Sequence, residues 1–313
     1  MMLARQGWAD ALIELGEKDP RIVVLDADLA KSTLTCQFKD KFPKRFFDMG
    51  IAEQNMINVA GGLSLTGLIP FVTTYGVFVS GRAWEQIRTS ICYGNLNVKF
   101  GGAHGGISVG PDGATHQALE EITIMRVLPG MTVIVPSDFY ETKKAVMASV
   151  EINGPVYIRF GREKTPVVTT PDMPFKIGKA INMKEGKDIT IVACGSMVAE
   201  ALDAADALAQ KGISAEVVNL HTIKPMDKDA ILASAKKTGC VVTAEEHQLF
   251  GGMGGAVAEV LAQAHAVPME MVGINDTFGE SGQPRELMEK YGLTSKEIFE
   301  KSIKVLSRKK SKI

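Results

Sequence analysis

The stretch Phe46-Phe47-Asp48-Met49-Gly50-Ile51-Ala52-Glu53-Gln54-Asn55 decides how the chain is read. It sets one carboxylate, Glu53, at the head of a small-residue helical run through Met56, Ile57, Ala60, Gly61 and Leu63. No further charge follows until Arg82. An acid in so apolar a context is expected to be buried. A buried carboxylate takes a partner or a proton, because losing its hydration is costly. Two uses remain open at this point: a favourable charge at a helix N-terminus, or a proton shared with a ring nitrogen of a bound heterocycle.

The uncharged stretch 54–81 is long enough to raise a membrane span. Asn55, Asn58, Gly61, Gly62, Gly67 and Pro70 break it, and it reads instead as helix, turn and buried strand. Upstream, Ala4 to Gly16 reads as helix and Ile22 to Asp26 as a β-branched parallel strand. Downstream, the expected order is strand 69–74, helix 78–91, strand 97–101, a Gly-rich loop, helix 119–126, strand 131–135, helix 140–150 and strand 156–160. This alternation predicts a doubly wound, parallel-sheet α/β domain over 1–165. Pro166, Pro171 and Pro174 mark a linker over 166–186. A smaller α/β domain over 187–313 is expected to follow, with strands at 188–194, 215–220, 240–244 and 269–274, helices at 198–210, 227–237 and 255–264, and a helical tail.

Composition excludes several classes. A net charge of −1 argues against nucleic acid or a membrane surface as the main partner. The one charge run, Arg308 to Lys312, reads as a solvated, frayed end. Cys36, Cys92, Cys194 and Cys240 form no CxxC pair and suit free thiols in a reducing cytoplasm. No apolar core precedes Asp10, so no signal peptide is expected and the chain reads as soluble.

In open α/β sheets, ligands gather beyond the carboxyl ends of strands. Asp26-Ala27-Asp28 falls there, with Ser32 just after. So does the loop Gly101-Gly-Ala-His104-Gly-Gly-Ile-Ser-Val-Gly110-Pro-Asp112-Gly-Ala-Thr-His116-Gln117, and so do Arg159 and Arg162. The loop suits either a phosphate cradle built from backbone N–H groups or a mobile surface segment. His104 and His116 lack the spacing and acidic neighbours of a metal site. A P-loop and a Rossmann fingerprint are both missing. Tyr75, Phe78 and Arg82 could form a stacking shelf with a cation, or a plain core cluster.

Taken in order, these signals resemble the transketolase family along essentially the whole chain, and more closely its C-terminal half as a separate subunit. The resemblance implies that Glu53, in Gly-Ile-Ala-Glu-Gln, protonates the pyrimidine nitrogen of thiamine diphosphate. It implies that Tyr75 and Phe78 pack on that ring, with Arg82 nearby, and that Asp28 reaches the cofactor. Asp112 and His116, in Asp-Gly-Ala-Thr-His-Gln, are implied to bind sugar hydroxyls, His116 with a catalytic part. Ser32, His104 and Arg162 are implied to grip a substrate phosphate. The reaction implied is transfer of a two-carbon ketol unit from a ketose phosphate to an aldose phosphate.

Deoxyxylulose-phosphate synthase shares both motifs, but usually carries Asp-Arg where this chain has His104-Gly105. The β subunits of 2-oxoacid dehydrogenases share the Glu53 motif without Thr-His-Gln. A non-catalytic regulatory subunit of the same fold is the alternative from another class. One departure from transketolases lies near Gly81, where a third ring-contacting aromatic is expected, and Arg82 beside it is more similar to the synthase. The Gly-Asp-Gly…Asn motif that holds Mg²⁺ and the diphosphate is missing too. The resemblance therefore implies an N-terminal transketolase subunit that binds the metal, in an α2β2 assembly.

Overall fold

A computed structural model describes residues 1–310. Two sheets organise the chain. The first has seven strands, in the order 222–224, 132–134, 156–159, 99–103, 69–75, 22–26, 46–48. All neighbours run parallel except the edge strand Thr222–Lys224. The second has five strands, in the order 269–274, 241–248, 189–193, 215–219, 181–184, with only Ile181–Lys184 antiparallel. Helices cover both, and the fold is α/β.

The central strands read as continuous apolar runs because both of their faces are covered. Ile22–Asp26 and Ile69–Tyr75 are buried along their full length. Below the first sheet, Trp8 is fully buried against Phe71 and Phe160, with centroids 5.8 and 5.2 Å away. The helix Phe139–Ser149 starts where Asp138 accepts the Glu141 N–H. The same Asp138 carboxylate also receives Val168 N–H, Thr169 N–H and Thr169 Oγ1, which fastens the incoming connector to that helix.

Several elements differ from the expectation. Helix 78–91 is broken: an α-helix Gly76–Arg82 ends at Ala83, and after Trp84–Gln86 the turn Ile87–Cys92 is π-helical. The strand expected at 97–101 runs Lys99–Ala103, which brings His104 directly to its carboxyl end. Ile181–Lys184 pairs with Ala215–Asn219, so the second sheet begins inside the proline-marked segment. The strand Thr222–Lys224 leaves the second half of the chain and completes the first sheet. The C-terminal helix Ser295–Lys310 is anchored where fraying was expected: Arg308 pairs with Glu270, and Lys309 Nζ donates to Asp188 O and Thr238 O. Ser311 and Lys312, the rest of that run, lie outside the described residues.

The two halves are sutured by buried polar contacts. Gly195 N–H donates to Val135 O at 3.1 Å, and Val135 N–H to His221 O at 2.7 Å. Arg159 Nε donates to Glu121 at 2.6 Å while its Nη2 reaches Glu246 O at 2.7 Å. Glu246 in turn accepts Ser108 N–H and Ser196 Oγ. Gly106, at φ 97°, passes against the Glu246 carboxylate where a Cβ would collide, so a glycine is needed there. The Gly-rich 101–117 loop is thus mostly buried at this junction rather than mobile on the surface. Glu245 accepts Met253 and Gly254 N–H groups at 2.7 Å, capping the helix Met253–Ala264. Glu245 and Glu246 therefore serve internal contacts. No helix among the described residues is long and apolar enough to cross a membrane, and all four cysteines are free.

Candidate active site

Strand order reverses between Ile22–Asp26 and Ile69–Tyr75: the chain goes from the former outward to Phe46–Asp48, then returns to the latter. The crevice beyond these carboxyl ends is the expected ligand position of such a sheet. Most of the polar residues singled out in the sequence converge there.

Glu53 is the first residue of the helix Glu53–Leu65 and is 3% exposed. Its partner is Arg82, whose Nη1 donates to Oε1 at 3.1 Å and Oε2 at 3.2 Å; Thr74 Oγ1 is 3.5 Å from Oε1. The buried carboxylate thus has a cation beside it. Arg82 Cζ also lies 3.9 Å from the Phe78 ring centroid. Phe78 stacks on Tyr75 at 5.6 Å, and Tyr75 stacks on the His104 imidazole at 4.0 Å. His116 meets both aromatic edges, at 5.9 and 5.3 Å. These rings form a continuous shelf ending in a cation, not an isolated core cluster.

His104 is buried, adopts φ 57°, and leaves Nδ1 without a hydrogen-bond partner among the described residues. Burial, reinforced by the Arg5, Arg162 and His116 charges, pushes its pKa down to about 3. The imidazole is neutral at any physiological pH. Arg162 Nη1 donates to Val109 O at 2.9 Å and to Asp112 Oδ1 at 3.2 Å. Thr115 Oγ1 lies 2.9 Å from His116 Nδ1. Asp28 stands in a separate group: its side chain is exposed, and its N–H donates to Asp48 Oδ1 at 3.2 Å.

Arg5 belongs to the same constellation and was not singled out in the sequence. Its Nη1 donates to Ser32 O at 2.7 Å, and its buried Nε has no hydrogen-bond partner among the described residues. Burial and the nearby Arg162 cation lower its pKa. The reason for its position is long-range: Met2 and Leu3 pair antiparallel with Thr165 and Lys164, which sets the N-terminal turn beside Arg162. No local pattern announces that pairing. Among the described residues no group of His, Cys, Asp or Glu is arranged to hold a metal ion.

Residues 1–167 match the family model "Transketolase, pyrimidine binding domain", and residues 178–298 match "Transketolase, C-terminal domain". The chain is 46% identical to a putative transketolase C-terminal section of Methanocaldococcus jannaschii, over 97% of this chain and 96% of that protein. It is also 46% identical to a 6-deoxy-6-sulfo-D-fructose transketolase subunit of Clostridium sp. (strain MSTE9), over 97% and 95%. A solved split-gene transketolase, described as an inactive β4 tetramer, superposes with a TM-score of 0.92 at 51% identity, over 98% and 99%. The chain belongs to the transketolase family and corresponds to the C-terminal subunit of a split enzyme.

Proposed function

We propose that this chain is the half of a thiamine diphosphate-dependent transketolase that binds the cofactor's pyrimidine end and the sugar. An N-terminal subunit, in an α2β2 assembly, supplies the diphosphate and Mg²⁺ end. In this reading residues 1–165 form the pyrimidine-binding domain, 166–186 the linker, whose end Ile181–Lys184 joins the second sheet, and 187–313 the C-terminal domain. Four free cysteines agree with a reducing cytoplasm as the place of action.

The observation that carries the reading is the pairing of a nearly buried carboxylate with an aromatic shelf at the sheet's switch point. The residues fit the pyrimidine end: Glu53 offers a carboxylate to a ring nitrogen, and Tyr75 and Phe78 offer flat faces. The cofactor contributes the electron sink for carbon–carbon bond exchange. Glu53 holds a proton at the ring nitrogen, and Arg82 must then share or give up its hold on that carboxylate. Arg82 and Phe78 take the place of the missing aromatic at Gly81, and Asp28 lies on the loop approaching the cofactor.

Arg5, Arg162, Ser32 and neutral His104 provide donors for the sugar's terminal anion. Asp112 and His116 take its hydroxyls, and His116 adds proton transfer. Asp112 is held by Arg162 without substrate, so a bound phosphate and that carboxylate compete for one guanidinium. The substrates in this reading are a ketose phosphate as donor and an aldose phosphate as acceptor. His104, where the synthase usually carries an acid, favours transketolase chemistry over pyruvate chemistry.

Co-expression with an N-terminal-half subunit tests the proposal. Xylulose phosphate should pass its two-carbon unit to ribose phosphate, leaving a triose phosphate and giving a seven-carbon ketose phosphate, when thiamine diphosphate and Mg²⁺ are present. Consumption of pyruvate instead would assign the complex to the synthase. No turnover with any sugar phosphate would leave a non-catalytic subunit.

A further inference from the structure

Asp26 closes the strand Ile22–Asp26, is fully buried, and has no part in the roles above. Its Oδ1 accepts the Leu29 N–H at 2.6 Å. Its Oδ2 accepts from Thr33 Oγ1 at 3.1 Å and from Thr35 Oγ1 at 2.8 Å. One carboxylate thus gathers the beginning and the end of segment 27–35. That segment contains two non-glycine residues in the left-handed region, Asp28 at φ 62° and Leu34 at φ 65°. Such conformations are disfavoured for residues with a Cβ and persist only where surrounding contacts impose them. The segment also carries Ser32, whose carbonyl receives Arg5.

We propose that Asp26 is a positioning residue of the active site: through Leu29, Thr33 and Thr35 it fixes segment 27–35 so that Asp28 and Ser32 are presented to cofactor and substrate. This rests on the function proposed above, since it assumes that Asp28 and Ser32 contact ligands. An apolar residue could fill the same space. It would leave the part-buried Leu29 N–H without its acceptor and cut the tie from both threonine hydroxyls back to the strand.

The network holds in either charge state. Burial pushes the Asp26 carboxyl up to about 6, against the pull of its three hydrogen bonds. When ionised it accepts all three. When protonated it donates to Thr35 Oγ1, which lies 3.0 Å from Thr33 Oγ1, and Thr33 Oγ1 lies 3.1 Å from Leu29 O. The chain of donors then simply reverses, and the segment keeps its anchor.

The test compares Asp26→Ala, Asp26→Asn and Thr35→Val in the complex with the N-terminal-half subunit. Asp26→Ala should raise KM for the ketose phosphate about tenfold or more with kcat within about threefold, the pattern of lost binding rather than lost chemistry. Thr35→Val should move KM the same way by less. Asp26→Asn should stay within about threefold of wild type, because its amide can accept from Leu29 N–H and donate to Thr35 Oγ1. Unchanged KM in Asp26→Ala, with only thermal stability lowered, would overturn the positioning role. Amide exchange over 27–35, measured without turnover, separates the two claims. Faster exchange confined to 27–35 in Asp26→Ala supports the anchor even if no sugar phosphate is turned over, an outcome that would sink the functional proposal alone. Wild-type exchange there would overturn the anchor whatever the activity.

Discussion

Arg82 covers Glu53 from the solvent side, its Nη1 donating to both carboxylate oxygens; the two side chains are 47% and 3% exposed. The buried acid is therefore reached past a half-exposed guanidinium, which also lies over Phe78. Any ring nitrogen that engages Glu53 must coexist with this cation or displace it.

Arg82→Ala should for this reason raise the thiamine diphosphate concentration giving half-maximal activity, by roughly tenfold if the guanidinium face is worth about 1–2 kcal/mol when partly desolvated. Titration of the reconstituted complex checks it. An unchanged half-saturation would mean that Arg82 is only a surface counter-ion, as many exposed ion pairs are.

Arg162→Ala and Arg5→Ala should act on substrate affinity, not on the chemical step. Each removes donors to a group that does not react, so KM for phosphorylated sugars should rise about 10–100-fold with kcat little changed. Steady-state kinetics with phosphorylated and unphosphorylated sugars checks this. Equal KM ratios for the two kinds of sugar would place the anion elsewhere.

Glu141 should make the contact between the two sheets sensitive to pH. Its carboxyl accepts Ser137 N–H at 2.6 Å and Asn219 Nδ2 at 2.8 Å, and burial pushes its pKa up to about 7. A raised folded pKa means a contribution fully present below the unfolded value, 4.5, and lost as pH rises through about 7. Glu141→Gln mimics the protonated acid, so thermal melts should show the variant gaining on wild type between pH 5 and pH 8. A constant difference would show that the Glu141 carboxyl is not shifted upward in the fold.

Lys99 works in the opposite sense. It is fully buried, its Nζ donates to Ile152 O at 2.6 Å and Gly154 O at 2.8 Å, and burial pushes its pKa down to about 7. A neutral amine has two N–H donors, which matches the two carbonyls. Between about pH 7 and the unfolded 10.5, the unfolded chain binds the extra proton, so this group makes stability rise with pH. Denaturant melts of wild type against Lys99→Met over that window should show the variant without this rise. Parallel pH profiles would contradict it.

The alternating elements were legible because the central strands are apolar on both faces, as Ile22–Asp26 and Ile69–Tyr75 show. Glu53's burial was legible too, from the uncharged run that follows it. Its pairing with Arg82 was not, since that depends on a helix ending at Arg82 where a continuous helix to Ile91 was expected. Thr222–Lys224 escaped notice because three residues give no periodicity, and their partner strand lies in the other half of the chain. Arg5 was passed over, and Asp26 was read only as a member of a polar cluster, for the same kind of reason: one depends on pairing between Leu3 and Lys164, the other on a segment folding back on its own strand.

The most direct measurement concerns position 53. In the complex with the N-terminal-half subunit, with thiamine diphosphate and Mg²⁺ saturating, Glu53→Gln should lose about 10²–10⁴-fold in kcat, the range for one general acid–base group, while the melting temperature stays close to wild type. Wild-type turnover by that variant would contradict the role of Glu53 as the proton partner of the cofactor ring.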